Sequence, residues 1–249
     1  MPSALAFRDV AKAYGRKLAL DGVSLDVDRG TAFGLVGMNG AGKTTLLKCL
    51  LDFSRPDRGD IAIFGTSSRE SAARARLAFL PERFVPPYFL TGRDFLRYML
   101  ALQYLPYTED AARSMLAALD LDPLALDLPV RAYSKGMTQK LGLCACFLAG
   151  RDALVLDEPT SGLDPKARAL LKRELRRQHA LGRTLFLTSH ALADVEELCS
   201  RMAVLHQGRL RFTGTPAAFR ERYDAPDIET AYLACIGETA PLAGTVLAQ

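Results

Sequence analysis

No stretch of this sequence is long and apolar enough to cross a membrane. The longest apolar run, LGLCACFLAG at 141–150, has ten residues, about half of what a bilayer requires. If the protein works at a membrane, it does so through a partner. The cysteines are Cys49, Cys144, Cys146, Cys199 and Cys235, an odd number without a paired framework, which excludes a disulfide scaffold and fits a reducing cytosol. Cys144 and Cys146 sit in an apolar helical run, where buried thiols are expected. The start, MPSALAFRDV, lacks a basic region followed by an apolar segment, so no signal peptide is expected. The net charge of +4 is mild and its arginines are scattered, which gives no argument for nucleic acid. There is no internal repeat, low-complexity tract or heptad run.

What is present is an ordinary globular composition, 49% hydrophobic and 24% charged in 249 residues, enough for one large buried core. Strand-like runs open the chain (LAFRDVAKAY, VSLDVDRG, TAFGLVG), separated by Gly and Asp turn signals. The last leads directly into a helical AGKTTLLKCLLDF, and DRGDIAIFG reads as a turn and another strand. Residues 82–150 are mostly helical: Thr91 and Asp94 form a capping-box pattern before GRDFLRYMLALQYL, TEDAARSMLAALDL is a second helix, and a third starts near Ser134. Strands and helices then alternate through ALVLD, a helix at 165–181, TLFLTS, a helix at 191–199 and MAVLHQGRL. This alternation predicts an α/β fold with a mainly parallel sheet and helices on its faces. PLAGTVLAQ at the end shows no convincing pattern and is expected to be loosely held.

GMNGAGKTT, residues 37–45, fits G-x-x-x-x-G-K-[ST] through Gly37, Gly42, Lys43 and Thr44, between a predicted strand and a helix. Its glycines let backbone N–H groups face phosphates, and the helix N-terminus adds a favourable field. The candidate nucleotide ligands are Gly37, Met38, Asn39, Gly40, Ala41, Gly42, Lys43, Thr44 and Thr45. Lys43 is placed on the terminal phosphates and the Thr44 hydroxyl on Mg²⁺. ALVLDEPTSGLD, 153–164, is a buried-type strand ending in two carboxylates. A carboxylate at the end of an apolar strand is unfavourable unless it meets a cation, so Asp157 is assigned to Mg²⁺, directly or through water. Glu158 is expected to point elsewhere because strand side chains alternate, toward an attacking water as general base or orienting group. His190 follows TLFLTS at a strand end, where ligands bind in parallel sheets. Its imidazole either contacts the terminal phosphate or fixes Glu158.

Together these pieces resemble the ATP-binding cassette family, the nucleotide-binding subunits of ABC transporters, over about residues 5–225. GMNGAGKTT resembles its Walker A loop, ALVLDEP its Walker B strand, SGLDP (161–165) its D-loop and Ser189-His190 its switch histidine. The resemblance implies a P-loop NTPase core with N-terminal antiparallel strands, 1–81 and 151–225. It also implies an inserted helical subdomain at 82–150 and a tail at 226–249. Tyr14 matches the aromatic that stacks on adenine. AFLPERF (78–84) stands at the glutamine loop, with Glu82 in place of Gln and a role at the metal. YSKGMTQK (133–140) falls at the signature usually written LSGGQ: Ser134 and Gly136 match, while Lys135 and Met137 depart. The Ser-Lys-Gly-Met form and Pro81-Glu82 resemble a subgroup that energises exporters whose membrane domains are separate polypeptides.

The implied activity is ATP hydrolysis with Mg²⁺. It would be performed by two cassettes paired head to tail, most simply as a homodimer, peripheral on the cytoplasmic face of the membrane and joined to separate permease subunits. A soluble assembly ATPase, as in iron–sulfur cluster biogenesis, would share every ATP motif and stands as the alternative. A chromosome-maintenance cassette would insert long coiled coils, whereas Ser134 lies 89 residues after Thr45. The basic helix 166–183 carries an apolar stripe of Ala167, Leu170, Leu171, Leu175 and Leu181, which places its cations on a solvated face, so no nucleic acid is expected. The apolar and aromatic segment FVPPYFLTGRDF, just after Glu82, is the candidate docking surface for a membrane partner, unless its aromatics pack the helical block internally.

Overall fold

The computed structural model describes residues 3–237. Two sheets carry the core. The first is antiparallel, built from β1 (Ser3–Tyr14), β2 (Lys17–Asp28), β4 (Arg58–Ile63) and the short β5 (Thr66–Ser67), in the order β2-β1-β4-β5. The second contains β3 (Ala32–Val36), β6 (Leu77–Leu80), β7 (Ala153–Asp157), β8 (Thr184–Ser189), β9 (Arg201–His206) and β10 (Arg209–Gly214). Its order is β10-β9-β3-β8-β7-β6, and every pairing is parallel except β9 with β10.

Burial explains the composition of the central strands. AFGLV, ALVLD and TLFLTS are buried at every position, as expected of parallel strands covered on both faces. Alternation then divides their side chains between two cores. Phe33, Leu35, Val155 and Phe186 face the antiparallel sheet, where Phe33 stacks on Phe186 at 5.8 Å and Leu46, Leu47 and Leu50 of α1 (Lys43–Leu50) close the layer. Val36, Leu154, Leu156, Leu185 and Leu187 face the other way. Gly34 sits where α7 (Leu192–Leu198) approaches closest: a Cβ there would lie 2.4 Å from Val195 Cγ1.

After the four-residue α2 (Ser71–Arg74) and β6, the chain leaves the sheet at Leu80 for the helical segment. This comprises α3 (Gly92–Ala101), α4 (Glu109–Ala118), two 3₁₀ turns and α5 (Lys135–Leu148). The Thr91 hydroxyl accepts from the Asp94 N–H at 3.1 Å and so caps α3. Phe95, Leu96, Leu100, Leu116, Leu141 and Phe147 pack the segment onto the second core. Cys144, Cys146 and Cys199 lie in that core and Cys49 in the other. Burial pushes the thiols of Cys146 and Cys199 up to about 12 and that of Cys49 up to about 11, so they are packing groups and not thiolate ligands.

Three differences from the sequence reading stand out. First, the region read as a tail from 226 holds a helix. After α6 (Pro165–Ala180) and α8 (Pro216–Arg222), α9 spans Ile228–Ile236, capped by Asp227 and closed by Gly237. Ile228, Ala231 and Tyr232 are buried in the same core as α7. PLAGTVLAQ lies outside the described residues. Second, β6 is a strand that was not foreseen, and it pairs with β7 from Leu77 to Leu80. Third, Leu181 does not belong to the buried stripe of α6: it follows the helix as its C-cap residue and is 59% exposed, whereas Leu171 and Leu175 are fully buried.

Candidate nucleotide site

The loop between β3 and α1 wraps the carboxyl end of the parallel sheet. Gly40 and Gly42 take left-handed conformations, φ 83° and 115°. A Cβ on Gly42 would lie 2.6 Å from the Ala19 carbonyl oxygen, so the loop can pass β2 only as glycine. Gly42 caps α1 without a side-chain hydrogen bond, which leaves the first amides of the helix for a ligand. Lys43 is 7% exposed; its ammonium donates to the Gly37 carbonyl and lies 3.5 Å from Glu158 Oε1.

Asp157 ends β7 and Glu158 follows it. The expected strand alternation is not what separates these two carboxylates. Glu158 lies past the strand in a left-handed conformation (φ 50°), and its N–H donates to the Thr188 carbonyl at 3.2 Å and to the Thr188 hydroxyl at 3.1 Å. Such a backbone state is unusual for a non-glycine residue, is held by its surroundings and clusters at functional sites. Asp157 accepts from the Thr188 hydroxyl and lies 3.4 Å from the Thr44 hydroxyl. Burial holds its carboxyl above the usual range; the Thr188 hydrogen bond opposes this, and nearby Glu82 and Glu158 push further up. His190 Nδ1 lies 2.8 Å from Glu158 Oε2, with the ring 63% exposed, and its backbone N–H points at the same oxygen from 3.3 Å. His190 thus touches Glu158 through both its ring and its backbone.

A cleft of about 190 Å³ gathers most of the sequence candidates: Tyr14, Met38, Asn39, Gly40, Gly42, Lys43, Thr44, Thr45, Glu82, Asp157 and Glu158 line it. Tyr14 ends β1 half-exposed at the rim, with its hydroxyl donating to Ser54 at 3.3 Å and Lys12 over its ring. Gly37 and Ala41 stand behind the lining. Gly37 holds Lys43, and the Ala41 carbonyl accepts from the Gly208 N–H at 2.9 Å. Ser134 and Gly136 are not brought to this cleft. Ser134 caps α5 by accepting from the Met137 N–H at 3.2 Å, and Gly136 packs near the Gly162 carbonyl of the D-loop segment.

The match to a family profile is decisive. The profile described as ABC transporter covers residues 20–161, running from β2 to the turn after Glu158. The chain belongs to the ABC transporter family. Among curated relatives, the Nod factor export ATP-binding protein I of Burkholderia orbicola is 39% identical over 233 residues, covering 91% of this chain and 75% of that protein. The protein of the same name from Sinorhizobium fredii is 35% identical, covering 92% and 68%. A solved structure described as the ATP binding subunit of an ABC transporter superposes with a TM-score of 0.82 at 29% identity, over 94% of this chain and 99% of that one. This cassette is therefore an ATP-hydrolysing, nucleotide-binding subunit coupled to transport.

The donor set fits such a ligand. The phosphate loop presents unpaired helix amides and a lysine. Glu158 Oε1 is buried with no hydrogen-bond partner, and Asp157 lies among further carboxylates. Among the described residues no three His, Cys, Asp or Glu side chains cluster as a metal cage. Mg²⁺ is usually held by one or two carboxylates plus phosphates, which matches a cassette site. Sequence reasoning missed two contributors. Thr188 orders both Asp157 and Glu158, and no motif marks it. Tyr232, whose hydroxyl accepts from the Met38 N–H at 3.0 Å, sits in a stripe of Ile228, Ala231, Tyr232 and Cys235, an i, i+3, i+4, i+7 pattern that was there to be read.

Proposed function

We propose that this cassette works in a head-to-tail pair with a second copy, driving export through separate membrane-spanning subunits at the cytoplasmic face. The carrying observation is the division of the motifs. Lys43, Thr44, Asp157 and Glu158 share one cleft, while Ser134 and Gly136, on the N-terminal turn of α5, stand outside it. A signature so placed serves a phosphate held by another chain, with its helix N-terminus facing the negative charge. Within its own cleft, Lys43 and the loop amides hold the terminal phosphates, and Tyr14 stacks on the base. Thr44 and Asp157 hold Mg²⁺ with Glu82 beside them. Mg²⁺, when bound, neutralises charge across the terminal phosphates. Glu158 orients water and accepts its proton, held in register by His190 and by its left-handed backbone.

Among the described residues no helix is long and apolar enough to cross a membrane, and in this reading the transport path is formed by partner subunits. Val85, Tyr88 and Phe89 of the segment after Glu82 are exposed, Val85 by 82%, while Phe84 and Phe95 of the same segment turn inward and pack edge to face at 5.7 Å. The docking surface is therefore the outer half of that segment. The export direction rests on the relatives named for Nod factor export and on the Ser-Lys-Gly-Met signature.

The test is a mixing experiment. Lys43→Ala and Ser134→Ala chains, each failing alone, should form ATP-dependent dimers when combined, because one composite site in each mixed pair is intact. Sedimentation that shows no association in the mixture rejects the head-to-tail arrangement.

A further inference from the structure

The phosphate loop is braced from outside by the last part of the described chain. The Gly208 N–H donates to the Ala41 carbonyl at 2.9 Å from the turn between β9 and β10. From α9, Tyr232 reaches Met38 across 194 residues of sequence, with the Met38 N–H donating to its hydroxyl at 3.0 Å. Tyr232 is 8% exposed and packs in the core that also holds Leu192 and Val195 of α7.

The peptide unit involved, Gly37–Met38, is the one whose carbonyl accepts from the Lys43 ammonium. A peptide bond is planar and trans, so the Gly37 carbonyl and the Met38 N–H point to opposite sides of one rigid plate. The N–H side is held by Tyr232, and the carbonyl side accepts from the Lys43 ammonium. The Met38 carbonyl, on the next plate, accepts from the Ala41 N–H at 3.1 Å and lies 3.5 Å from the same ammonium. If the first plate turns, the acceptor under Lys43 turns with it. The bond is part-buried, and an N–H stripped of its acceptor is unfavourable to the extent that water does not replace it, so the phenol favours one orientation of the plate.

We propose that Tyr232 is a positioning residue for nucleotide binding: through the Gly37–Met38 peptide it holds the phosphate loop and Lys43 in the orientation that receives phosphate. The helix that carries it packs on α7, which begins two residues after His190, so α9 braces both the loop and the segment that holds Glu158. This role rests on the phosphate-loop reading of Lys43, and the experiment separates the two.

Tyr232→Phe keeps the ring and its packing and removes only the hydroxyl. The dissociation constant for ATP, measured by calorimetry, is expected to rise about threefold to tenfold, the usual span for one hydrogen bond, with kcat retained at saturating ATP. Hydrogen exchange of the nucleotide-free protein supplies a readout independent of activity. The peptide covering 37–40 should lose protection while β4, on the far sheet, exchanges as before. Unchanged exchange at 37–40, unchanged or tighter ATP binding, or a loss of protection that extends to β4 would each overturn the proposal. Lys43→Ala is measured in parallel. If it leaves ATP affinity intact, the phosphate-loop reading fails; if it weakens binding while Tyr232→Phe does not, only the Tyr232 role fails.

Discussion

Two carboxylate clusters, one in the nucleotide core and one in the helical segment, are perturbed in opposite directions. In the core, burial and the neighbouring Glu82 and Glu158 push Asp157 up, and a buried oxygen of Glu158 has no hydrogen-bond partner. In the helical segment, Arg93, Tyr107 and Arg113 surround Glu109 and hold its carboxyl down at about 2. Arg93 also bridges to Asp127 at 2.7 Å. The second cluster is complete in itself and ties α3, α4 and the following turn together. The first keeps Glu158 Oε1 without a hydrogen-bond partner, although the Lys43 ammonium lies 3.5 Å away, and holds Asp157 above its ordinary value, the condition of a site that a cation and a phosphate chain complete. A carboxylate pushed up by burial and by other carboxylates thus points to a ligand site, and one held down by paired cations to scaffold.

The largest expected effect breaks the core cluster at Glu158, whose Oε1 has no hydrogen-bond partner. Glu158→Gln removes the proton acceptor, so turnover should fall by about 10²- to 10⁴-fold, while ATP binding persists and an ATP-bound dimer accumulates. Phosphate release and sedimentation measure both, and hydrolysis at the parent rate would show the catalytic assignment to be wrong.

Next comes the signature, which belongs to neither cluster. Ser134 caps its own helix, so Ser134→Ala loses a cap, at about 1 kcal/mol of stability, together with any contact across the dimer. Ser134→Asp separates the two, since it keeps a capping acceptor but places negative charge where a phosphate is expected. Dimerisation with ATP should weaken about tenfold or more in the aspartate variant, with the melting temperature held. Undiminished dimerisation of Ser134→Asp counts against the contact in trans.

Asp157→Asn asks whether the core cluster is strained without a cation. A carboxyl whose pKa is raised on folding destabilises the fold in its charged form, so stability is lost as pH rises through the folded value and is fully present below about 3.8. The asparagine removes that penalty and is expected to raise the metal-free melting temperature at neutral pH by about 2–4 °C. The gap between variant and parent should close toward pH 4 and reverse when Mg²⁺ and ATP are added. A variant less stable than its parent at neutral pH without metal contradicts the strained-site account.

How much of this was readable before the fold depends on whether the chemistry is local. The phosphate loop and the Asp157-Glu158 pair are encoded within a few residues, so spacing and apolar context placed them. The parallel strands were visible as continuous apolar runs because burial on both faces leaves no polar position. β6 escaped because LAFL is only four residues and shows no alternation. The separation of Glu158 from Asp157 was foreseen for the wrong reason: it comes from a positive φ enforced by Thr188, thirty positions away in sequence. Tyr232 was missed although its helix carries an apolar stripe, an Asp cap and a closing Gly. The hydrogen bond that gives it meaning joins positions 38 and 232, and no local pattern reports such a meeting.

The smallest effect sharpens the comparison from the helical side. Glu109 is half-buried in the helical segment and belongs to no part of the nucleotide cleft, so Glu109→Gln should leave ATP binding and turnover within about twofold of the parent. Its signature is pH dependence. A carboxyl held below its ordinary value adds stability that is present above about 4.5 and lost as pH falls toward about 2. The parent should therefore lose melting temperature faster than Glu109→Gln between pH 5 and pH 2, and the two curves should meet at the acid end. Since Asp157 carries the opposite sign, the double variant with Asp157→Asn should flatten acid dependence at both ends of the molecule. The sites are independent, so the two shifts should add. A large loss of turnover in Glu109→Gln would mean that the helical segment's ion pairs take part in the nucleotide cycle, and the distinction between a complete cluster and one that a ligand completes would fail.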